Sequence, residues 1–474
     1  MSTKKIPSRL SAHQRLPEPK LTFHPDRPED QDVHPLKGLL NFGPYSRSAL
    51  SGVLDPIRIA MIIAPGLEPA VTRFFADFER PYAPKERLSY LPAFPGFKTV
   101  FGVRLVQGSP ATRILLPGSL DTELQSVQRP HLALAQRLTQ VLATLEQVRT
   151  EFDVVVIALP DRWEAAFEGA AGEDYDLHDY LKAAAAMRGI PFQIVRESRA
   201  LAYSCRCSVM WRQSIALYTK AGGVPWKLAE TSEDVAFIGL SYALRNSGTG
   251  RFVTCCSQVF DADGAGLEFV AYETDEVRIE RDNPFLSRSD MRRVMARSLA
   301  LFRKRHAGRT PTRLVIHKTT DFKPEEVDGC FDAWGRDTGL DLYHIQQDAG
   351  WRGMKLADKK TLDPYPCDRG SLLQLSGREF LLWTQGNAPE AVGGKNFFKE
   401  GKGIPSPLLL RRFAGHGDFL DAGRFVLGLT KMNWNNDALY DRLPVTVGYA
   451  HTLADIVKRV TQLRPHPYHV RFFM

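Results

Sequence analysis

The chain has 474 residues, of which 43% are hydrophobic, and it carries a formal net charge of +8. That length allows two or three domains, and the charge suits a polyanionic partner without proving one. No apolar run approaches the ~18 residues that a membrane span requires, and the polar start predicts no signal peptide. The six cysteines form no Cys-x-x-Cys pair and offer no zinc site, which indicates reduced thiols in a cytoplasmic protein.

The first half of the chain has the pattern of an α/β fold. Residues 1–34 are rich in Pro and charged residues, so we expect an N-terminal tail whose first ~20 residues are mobile. The elements predicted after it are a strand at 57–65, a helix at 67–80, a strand at 97–106, a long amphipathic helix at 129–152 and a strand at 152–160. Strands that alternate with helices predict a largely parallel, Rossmann-like sheet. No G-x-G-x-x-G motif follows the first strand, so dinucleotide binding is not indicated.

Four polar residues lie on neighbouring predicted elements further along this half. His178 and Lys182 are four residues apart in a helical run, so both project from one face. Gln193 lies in an apolar run typical of a strand. Lys220 closes a second helical run just before a Gly-Gly pair, which is a helix stop. Two or three cationic donors and an amide placed in this way can converge on one doubly charged anion, and a terminal phosphate is the obvious candidate.

This ordered set resembles the 5′-phosphate pocket of the MID domain of Argonaute proteins. In that family an aromatic residue or His, a Lys four residues on, a Gln about a dozen residues later and a Lys before Gly-Gly hold the 5′ end of a guide strand. The resemblance assigns those roles to His178, Lys182, Gln193 and Lys220, while Ala216 replaces a further lysine. Either lysine alone is also explained by a solvated helix face or a helix C-terminus. The whole set, rather than any one residue, therefore carries the comparison.

The pattern changes near position 230, where strands follow one another directly. We predict strands at 235–245, 251–264 and 267–277, a basic helix at 287–306, a strand at 313–320, a helix at 323–337 and a strand at 340–346. The turn at 261–264 joins the second strand to the third as a hairpin. Three antiparallel strands followed by helix, strand, helix and strand are the order of an RNase H-like fold.

That order and four short sequences resemble the PIWI domain of Argonautes. The sequences are IGLS, VIHKTTDFKPEE, NWNND at 433–437 and LPVTVGYAHTLADIVKR at 443–459. The resemblance implies a tail at 1–34, a MID domain at 35–229 and a PIWI domain at 230–474. It leaves no room for an N-terminal lobe or a PAZ domain, so the chain resembles a short prokaryotic Argonaute.

The catalytic positions of such a domain are replaced. RNase H-like nucleases use three or four carboxylates to hold two Mg²⁺ ions. By the resemblance those positions fall on Ser241, Thr319 and His451, and the mobile glutamate cannot be located. Hydroxyl groups do not anchor two hard dications, so we predict a nuclease-dead, duplex-binding domain. The alternative is a different register, in which Asp321 or Asp455 serves.

Two further segments leave alternatives open. In the family, the chain end enters the guide pocket and its carboxylate shares a Mg²⁺ ion with the guide phosphate and the pocket Gln. Here Met474 and Gln193 would hold that structural Mg²⁺, although an ordinary buried tail fits equally well. The run at 395–412 interleaves cations with Phe and Gly. It either lines a nucleic-acid channel or is a solvated loop.

The resemblance implies one main function. A 5′-phosphorylated guide RNA would direct recognition of single-stranded target DNA without cleavage. Target binding would activate a separate APAZ-containing effector, sirtuin-like or a TIR NADase, which depletes NAD in prokaryotic defence. The alternative is a guided endonuclease that cuts its target. A small-molecule α/β enzyme is disfavoured, because the chain lacks a nucleotide motif and is basic.

Overall fold

The fold consists of a smaller parallel sheet and a larger mixed sheet, each with packed helices. The computed structural model describes residues 13–47, 54–229, 235–247, 250–261, 264–274, 277–280, 283–335, 339–358, 360–398, 403–460 and 467–474. The α-helices are α1 (Pro35–Phe42), α2 (Glu68–Asp77), α3 (Phe97–Phe101), α4 (Ser119–Ser126), α5 (Pro130–Glu146), α6 (Leu177–Ala186), α7 (Arg206–Lys220), α8 (Arg288–Arg305), α9 (Pro324–Trp334), α10 (Phe419–Leu429) and α11 (Val445–Arg459).

The strands are numbered in the same way. In the first half they are β1 (Gln14–Arg15), β2 (Leu21–Thr22), β3 (Gln31–Asp32), β4 (Ile57–Ile63), β5 (Leu105–Gln107), β6 (Arg113–Leu115), β7 (Val154–Leu159), β8 (Phe192–Arg196) and β9 (Lys227–Leu228). In the second half they are β10 (Val235–Ser247), β11 (Gly250–Phe260), β12 (Gly266–Thr274), β13 (Val277–Glu280), β14 (Asn283–Leu286), β15 (Arg313–Lys318), β16 (Gly339–Gln346), β17 (Ser371–Gln374), β18 (Glu379–Leu382), β19 (Leu408–Ala414) and β20 (Tyr468–His469).

A parallel sheet organises the first lobe. Strand β4 pairs with β5 and β6 on one side and with β7 on the other, and β8 pairs with β7. The runs IRIAMII and VVVIAL of β4 and β7 are almost wholly buried, because helices cover both faces of a parallel sheet. The Rossmann-like arrangement predicted from the sequence is confirmed.

One predicted element of this lobe is wrong. The run 97–106, predicted as a strand, forms helix α3 and then the short strand β5. A short apolar run has no period that separates a helix from a strand, so its length and flanks decide. Here glycines flank the helix, and Gly102 ends it in the left-handed region with φ +73°.

A ten-stranded sheet organises the second lobe. Its central part has the order β12-β11-β10-β15-β16. The pairs among β10, β11 and β12 are antiparallel, and those among β10, β15 and β16 are parallel. This is the RNase H-like topology predicted from the element order. Residues 262 and 263 of the predicted hairpin turn lie outside the described residues.

Two helical layers cover opposite faces of this sheet. Ala236, Ile238 and Leu240 of β10 share one hydrophobic core with α8 and α9. Phe237 belongs to the other core, with residues of α11. Because side chains alternate along a strand, residues 237, 239 and 241 face α11 and the even-numbered ones face α8.

Residues 13–34 are built into the fold instead of forming the tail expected from their composition. Strand β1 pairs with β17, and β2 pairs with β3 and β9. The buried carboxylate of Glu18 lies 3.0 Å from Arg369 Nε and 2.6 Å from Lys431 Nζ. Leu16, Leu21 and Phe23 of the same segment are buried in the core, so the segment is anchored by apolar contacts as well as by this ionic cluster.

Further ion pairs join elements of the two lobes. Arg459 at the end of α11 binds Asp179 of α6, and its Nε lies 2.8 Å from Asp174. Arg87 lies 2.7 Å from Asp437 of the NWNND segment. No helix in the described ranges has the length and apolar character needed to cross a membrane.

Candidate functional site

Two helices and a strand bring the predicted pocket residues together. Helix α6 begins after Asp176, whose carboxylate accepts a hydrogen bond from the backbone N–H of Asp179 at 2.9 Å. Helix α7 ends at Lys220, and Gly222 with φ +109° turns the chain away. Gln193 is the second residue of β8. The structure therefore has the element types that the sequence predicted at these positions.

The lysines of this pocket are buried and under-partnered. Lys182 is 5% exposed and Lys220 is 2% exposed. Lys220 Nζ donates a hydrogen bond to Gln193 Oε1 at 2.5 Å. Within the part of the chain that the structure describes, Lys182 has no hydrogen-bond or ion-pair partner. A buried ammonium group without a partner costs several kcal/mol, so this pocket calls for an anion.

Burial lowers the pKa of the cationic groups in the pocket. Desolvation, together with the charge of Lys182, lowers the pKa of Lys220 to about 7. Desolvation also lowers the pKa of Lys182, although Asp179 and Asp176 partly oppose the shift. The pKa of His178 falls well below its usual value because of desolvation and the two lysine charges. His178 is therefore neutral near pH 7, which leaves the two lysines as the cationic groups of the pocket, and Lys220 is only partly protonated at that pH.

The chemistry available here is binding rather than reaction. A phosphate dianion would satisfy both ammonium groups, raise their pKa values and accept a hydrogen bond from a neutral imidazole. Charge-assisted contacts of this kind are worth ~1.5–3 kcal/mol each. The arrangement thus fits a site that holds a terminal phosphate.

The expected Mg²⁺ site can be tested against its donors. Gln193 Oε1 is an oxygen of the kind that Mg²⁺ accepts, but it is held by the ammonium group of Lys220. Met474 is buried, and the C-terminal turn Val470–Phe472 packs against α6 and α7. The chain end therefore reaches the helices that carry the lysines. An amide oxygen and a carboxylate are donor types that suit Mg²⁺, but the amide oxygen of Gln193 is occupied by Lys220 in this structure.

A second group of potential metal ligands lies beside the pocket. One ligand atom each of Asp176, His178 and Asp179 lies within 4.8 Å of the others. Asp176 caps α6, however, and Asp179 binds Arg459. Because two of the three groups already have partners, this cluster by itself does not indicate a metal centre.

Ser241, Thr319 and His451, the residues that the sequence predicted at the degenerate catalytic positions, lie close together in the second lobe. Leu240 is opposite Lys318 in the parallel pair of β10 and β15, so Ser241 and Thr319 are the next residues on adjacent strands. His451 Nε2 lies 3.3 Å from Thr319 Oγ1. Desolvation lowers the pKa of His451, so its imidazole is neutral near pH 7. Two hydroxyl groups and a neutral imidazole thus share the end of the central strands.

Close packing sets the position of α11 at this centre. A Cβ added to Gly239 would lie 1.9 Å from the backbone oxygen of Thr446. The first turn of α11 therefore rests directly on β10, and only glycine permits that approach. His317 Nδ1 lies 2.8 Å from Thr446 Oγ1 and fixes the same turn to β15. This contact places His451 beside Thr319.

Of the two alternative carboxylates, Asp321 is already engaged and Asp455 is exposed to solvent. Asp321 Oδ1 lies 2.7 Å from His344 Nδ1 and 3.2 Å from Arg411. Asp455 raises the pKa of His451 only through its charge. Over the described ranges, no three His, Cys, Asp or Glu side chains near Thr319 are close enough to share a metal ion.

Sequence reasoning missed a buried ion pair that borders this centre. Lys318 and Glu326 are 1% and 0% exposed, and Lys318 Nζ lies 2.7 Å from both carboxylate oxygens. The hydroxyl of Tyr242 donates to Glu326 at 2.8 Å. The sequence did contain a signal for this pair: Lys318 interrupts an apolar strand run, and Glu326 is the third residue of the helix that follows. This pair lies on the α8 side of the sheet, opposite Ser241.

Comparison with known proteins places this geometry in a recognised fold. No protein-family model and no curated protein matches the sequence. Clostridium butyricum Argonaute, solved with a guide DNA (5′ deoxycytidine) and a 19-mer target DNA, matches with a TM-score of 0.68 and 16% identity over 98% of this chain. Aa-Ago with externally bound siRNA gives 0.65 and 15%, and Aquifex aeolicus Argonaute gives 0.60 and 14%, again over 98% of this chain.

The match covers nearly all of this chain but only part of each matched structure. The chain spans 55%, 56% and 57% of the lengths of these three structures. At such low sequence identity the likeness concerns architecture and not activity. The matched architecture contains both the Rossmann-like lobe with the buried lysines and the RNase H-like lobe with Ser241, Thr319 and His451. The chain therefore has the MID–PIWI fold of Argonaute proteins.

Proposed function

We propose that this protein holds the 5′-phosphorylated end of a guide RNA and uses the guide to recognise single-stranded target DNA. The observation that carries the proposal is the pair of buried lysines, Lys182 and Lys220, which have no carboxylate within ion-pair distance among the described residues. The charges of Asp179 and Asp176 act on Lys182 only from further away. A phosphate dianion supplies the missing counter-charge. The Clostridium butyricum protein of the same fold was solved with a guide and a target strand, which supports the proposal by analogy.

Specificity in such a system comes from base pairing. The protein grips the backbone and the shape of the duplex, and the guide reads the sequence. The choice of RNA as guide and DNA as target follows the resemblance to short prokaryotic Argonautes. A Mg²⁺ ion bound through Gln193 and the carboxylate of Met474 would add a cation at the guide phosphate.

We further propose that the target is bound and not cut. Two Mg²⁺ ions need carboxylate ligands, and Ser241, Thr319 and His451 are uncharged near pH 7. A binding subunit then acts through another protein. That partner would be an APAZ-containing effector, sirtuin-like or a TIR NADase, in a stable heterodimer. The guide–target duplex activates the effector by binding its active state more tightly than its resting state.

The test compares two guides that differ only at the 5′ end. The purified chain should bind a 5′-phosphorylated RNA roughly ten- to a hundredfold more tightly than the same RNA with a 5′-hydroxyl, since the phosphate contacts are lost. Lys98→Ala, an exposed lysine of the same lobe, serves as the control and should leave that ratio unchanged. Equal affinities for both guides would remove the basis of the proposal.

A further inference from the structure

Positive charge is concentrated in one segment of the second lobe. The segment 288–309 contains eight Lys and Arg residues and one acidic residue, a net +7, whereas the whole chain carries +8. The cations are Arg288, Arg292, Arg293, Arg297, Arg303, Lys304, Arg305 and Arg309. The other 452 residues are therefore almost neutral in sum.

Helix α8 displays most of this charge on one face. The helix has 18 residues and is about 27 Å long at 1.5 Å per residue. Its apolar side is buried in the core beneath the central sheet. On the opposite side, helical spacing arranges the cations in two rows. One row contains Arg288, Arg292 and Arg303, and the other contains Arg293, Arg297 and Lys304; all six are exposed. Between the two rows lie the exposed small residues Ser289, Ala296 and Ala300.

Only part of this charge is neutralised within the protein. Arg288 pairs with Asp332, Arg293 with Asp290, and Arg305 with Glu268. In the described ranges, no carboxylate pairs with Arg292 or Lys304. The face therefore keeps a positive potential that an external anion can satisfy.

This face points away from the guide pocket and the nuclease-like centre. Ser241 and His451 lie on the α11 side of the central sheet, whereas α8 packs on the other side. Helix α6 with its pocket lysine also contacts α11. A strand bound along the exposed face of α8 would thus be separated from the guide by the thickness of the sheet.

We propose that the exposed face of α8 binds the phosphate backbone of a nucleic-acid duplex, independently of the guide pocket. Seven of the eight cations are arginines. The planar guanidinium group of arginine matches phosphate with two parallel hydrogen bonds. Alanine and serine between the two rows allow a backbone to lie close to the helix. Such a site recognises the charge of the backbone and not the base sequence. Binding at this site is a function separate from guide binding.

Other partners fit this face less well. A helix that binds a membrane surface inserts apolar side chains, but the apolar side of α8 is buried in the core. A protein interface is anchored by aromatic or large apolar residues at its centre, and the centre of this face carries only Ser289, Ala296 and Ala300. A backbone recognised by charge alone remains the best match.

The test measures binding of a fluorescent DNA duplex of about 20 base pairs with 5′-hydroxyl ends at several salt concentrations. The triple variant Arg292→Gln, Arg303→Gln and Lys304→Gln should bind it at least about tenfold more weakly. The negative slope of log affinity against log salt should become shallower by about 2.7, since each of the three lost phosphate contacts reduces the magnitude of the slope by ~0.9. Binding of a 5′-phosphorylated guide should not change, which separates this proposal from the guide pocket.

Two control variants keep the result interpretable. Arg73→Gln, Arg80→Gln and Lys98→Gln remove the same charge from exposed positions of the first lobe and should keep the salt slope. The charge-preserving triple variant Arg292→Lys, Arg303→Lys and Lys304→Arg should also keep it. Thermal unfolding of each variant confirms the fold.

Four results would overturn the proposal. The first is equal duplex binding by the wild type and the triple variant, and the second is an equal loss in the first-lobe control. The third is competition between duplex and guide for one site. Binding of anionic vesicles by the wild type, without any binding of the duplex, would assign the face to a membrane instead and would equally refute the proposal.

Discussion

Replacing Lys220 by methionine should stabilise the guide-free protein and weaken its hold on a phosphorylated guide. Lys220 has a pKa of about 7 in the fold, against an ordinary value of 10.5. At pH 7, keeping this residue in the pocket costs about 4 kcal/mol relative to an exposed lysine. The variant also loses the hydrogen bond to Gln193, which costs about 1–3 kcal/mol. The net gain expected in the free energy of unfolding is about 1–3 kcal/mol.

The gain should depend on pH in a defined direction. The folded-state pKa lies below the unfolded one, so between pH 7 and 10.5 the unfolded chain binds more protons at this residue. The contribution of Lys220 to the free energy of unfolding therefore rises with pH in that window. The difference between variant and wild type should shrink by about 3 kcal/mol from pH 7 to pH 9.5. Urea unfolding of the guide-free proteins at both pH values measures it.

Lys431→Met is the matched control. Lys431 is equally buried, but its Nζ lies 2.6 Å from Glu18 and donates to the carbonyl oxygens of Pro19 and Val33 at 3.0 and 2.6 Å. Removing it leaves a buried carboxylate short of a partner, so this variant should lose about 3–5 kcal/mol. If Lys220→Met is destabilised to a similar extent at pH 7, or shows the same difference at both pH values, the reasoning about an unpaired buried cation is refuted.

Four further outcomes are expected. Lys182→Ala and Gln193→Ala should each weaken binding of a phosphorylated guide about ten- to a hundredfold, with little effect on a 5′-hydroxyl guide; equal losses for both would indicate generic backbone contacts. Affinity for the phosphorylated guide should fall by up to about tenfold per pH unit above pH 7, because Lys220 must take up a proton on binding. An affinity that does not change with pH would contradict this. No target cleavage should occur with Mg²⁺ or Mn²⁺, and Ser241→Asp with Thr319→Asp should not restore it readily; guide-dependent cutting by the wild type would favour the endonuclease alternative. Co-expression with an APAZ-containing effector should yield a complex that hydrolyses NAD only when guide and matching target are present. A chain that functions fully in cells without any such partner would exclude the proposed complex.

Local pattern was enough to predict the elements that carry the pocket. A spacing of four residues placed His178 and Lys182 on the same face of α6. The Gly-Gly pair marked the end of α7 directly after Lys220. Helix ends and buried strands depend on neighbouring residues, and those are visible in the sequence. The roles of these residues in guide binding stay predictions.

Properties set by distant segments were not predictable in the same way. The low pKa of His178 results first from burial, then from Lys182 on its own helix, and then from Lys220 on another helix. The anchoring of Glu18 depends on Arg369 and Lys431, which follow hundreds of residues later. For the run 97–106 even the local pattern was ambiguous, since its apolar residues fit either a helix or a strand. Only the folded chain brings such partners together.

The buried carboxylate of Glu18 also bears on synthesis of the protein. Arg369 lies 351 residues further along the chain, and strand β1 pairs with β17. At translation rates of about 5–20 residues per second, the N-terminal segment must wait about 20–70 s for its partners to leave the ribosome. The parallel sheet of the first lobe has no such delay, because β4 to β8 end at Arg196. Residues 14–18 thus emerge long before the partners of β1 and of Glu18, and until those partners emerge they lack the contacts that hold them in the folded chain.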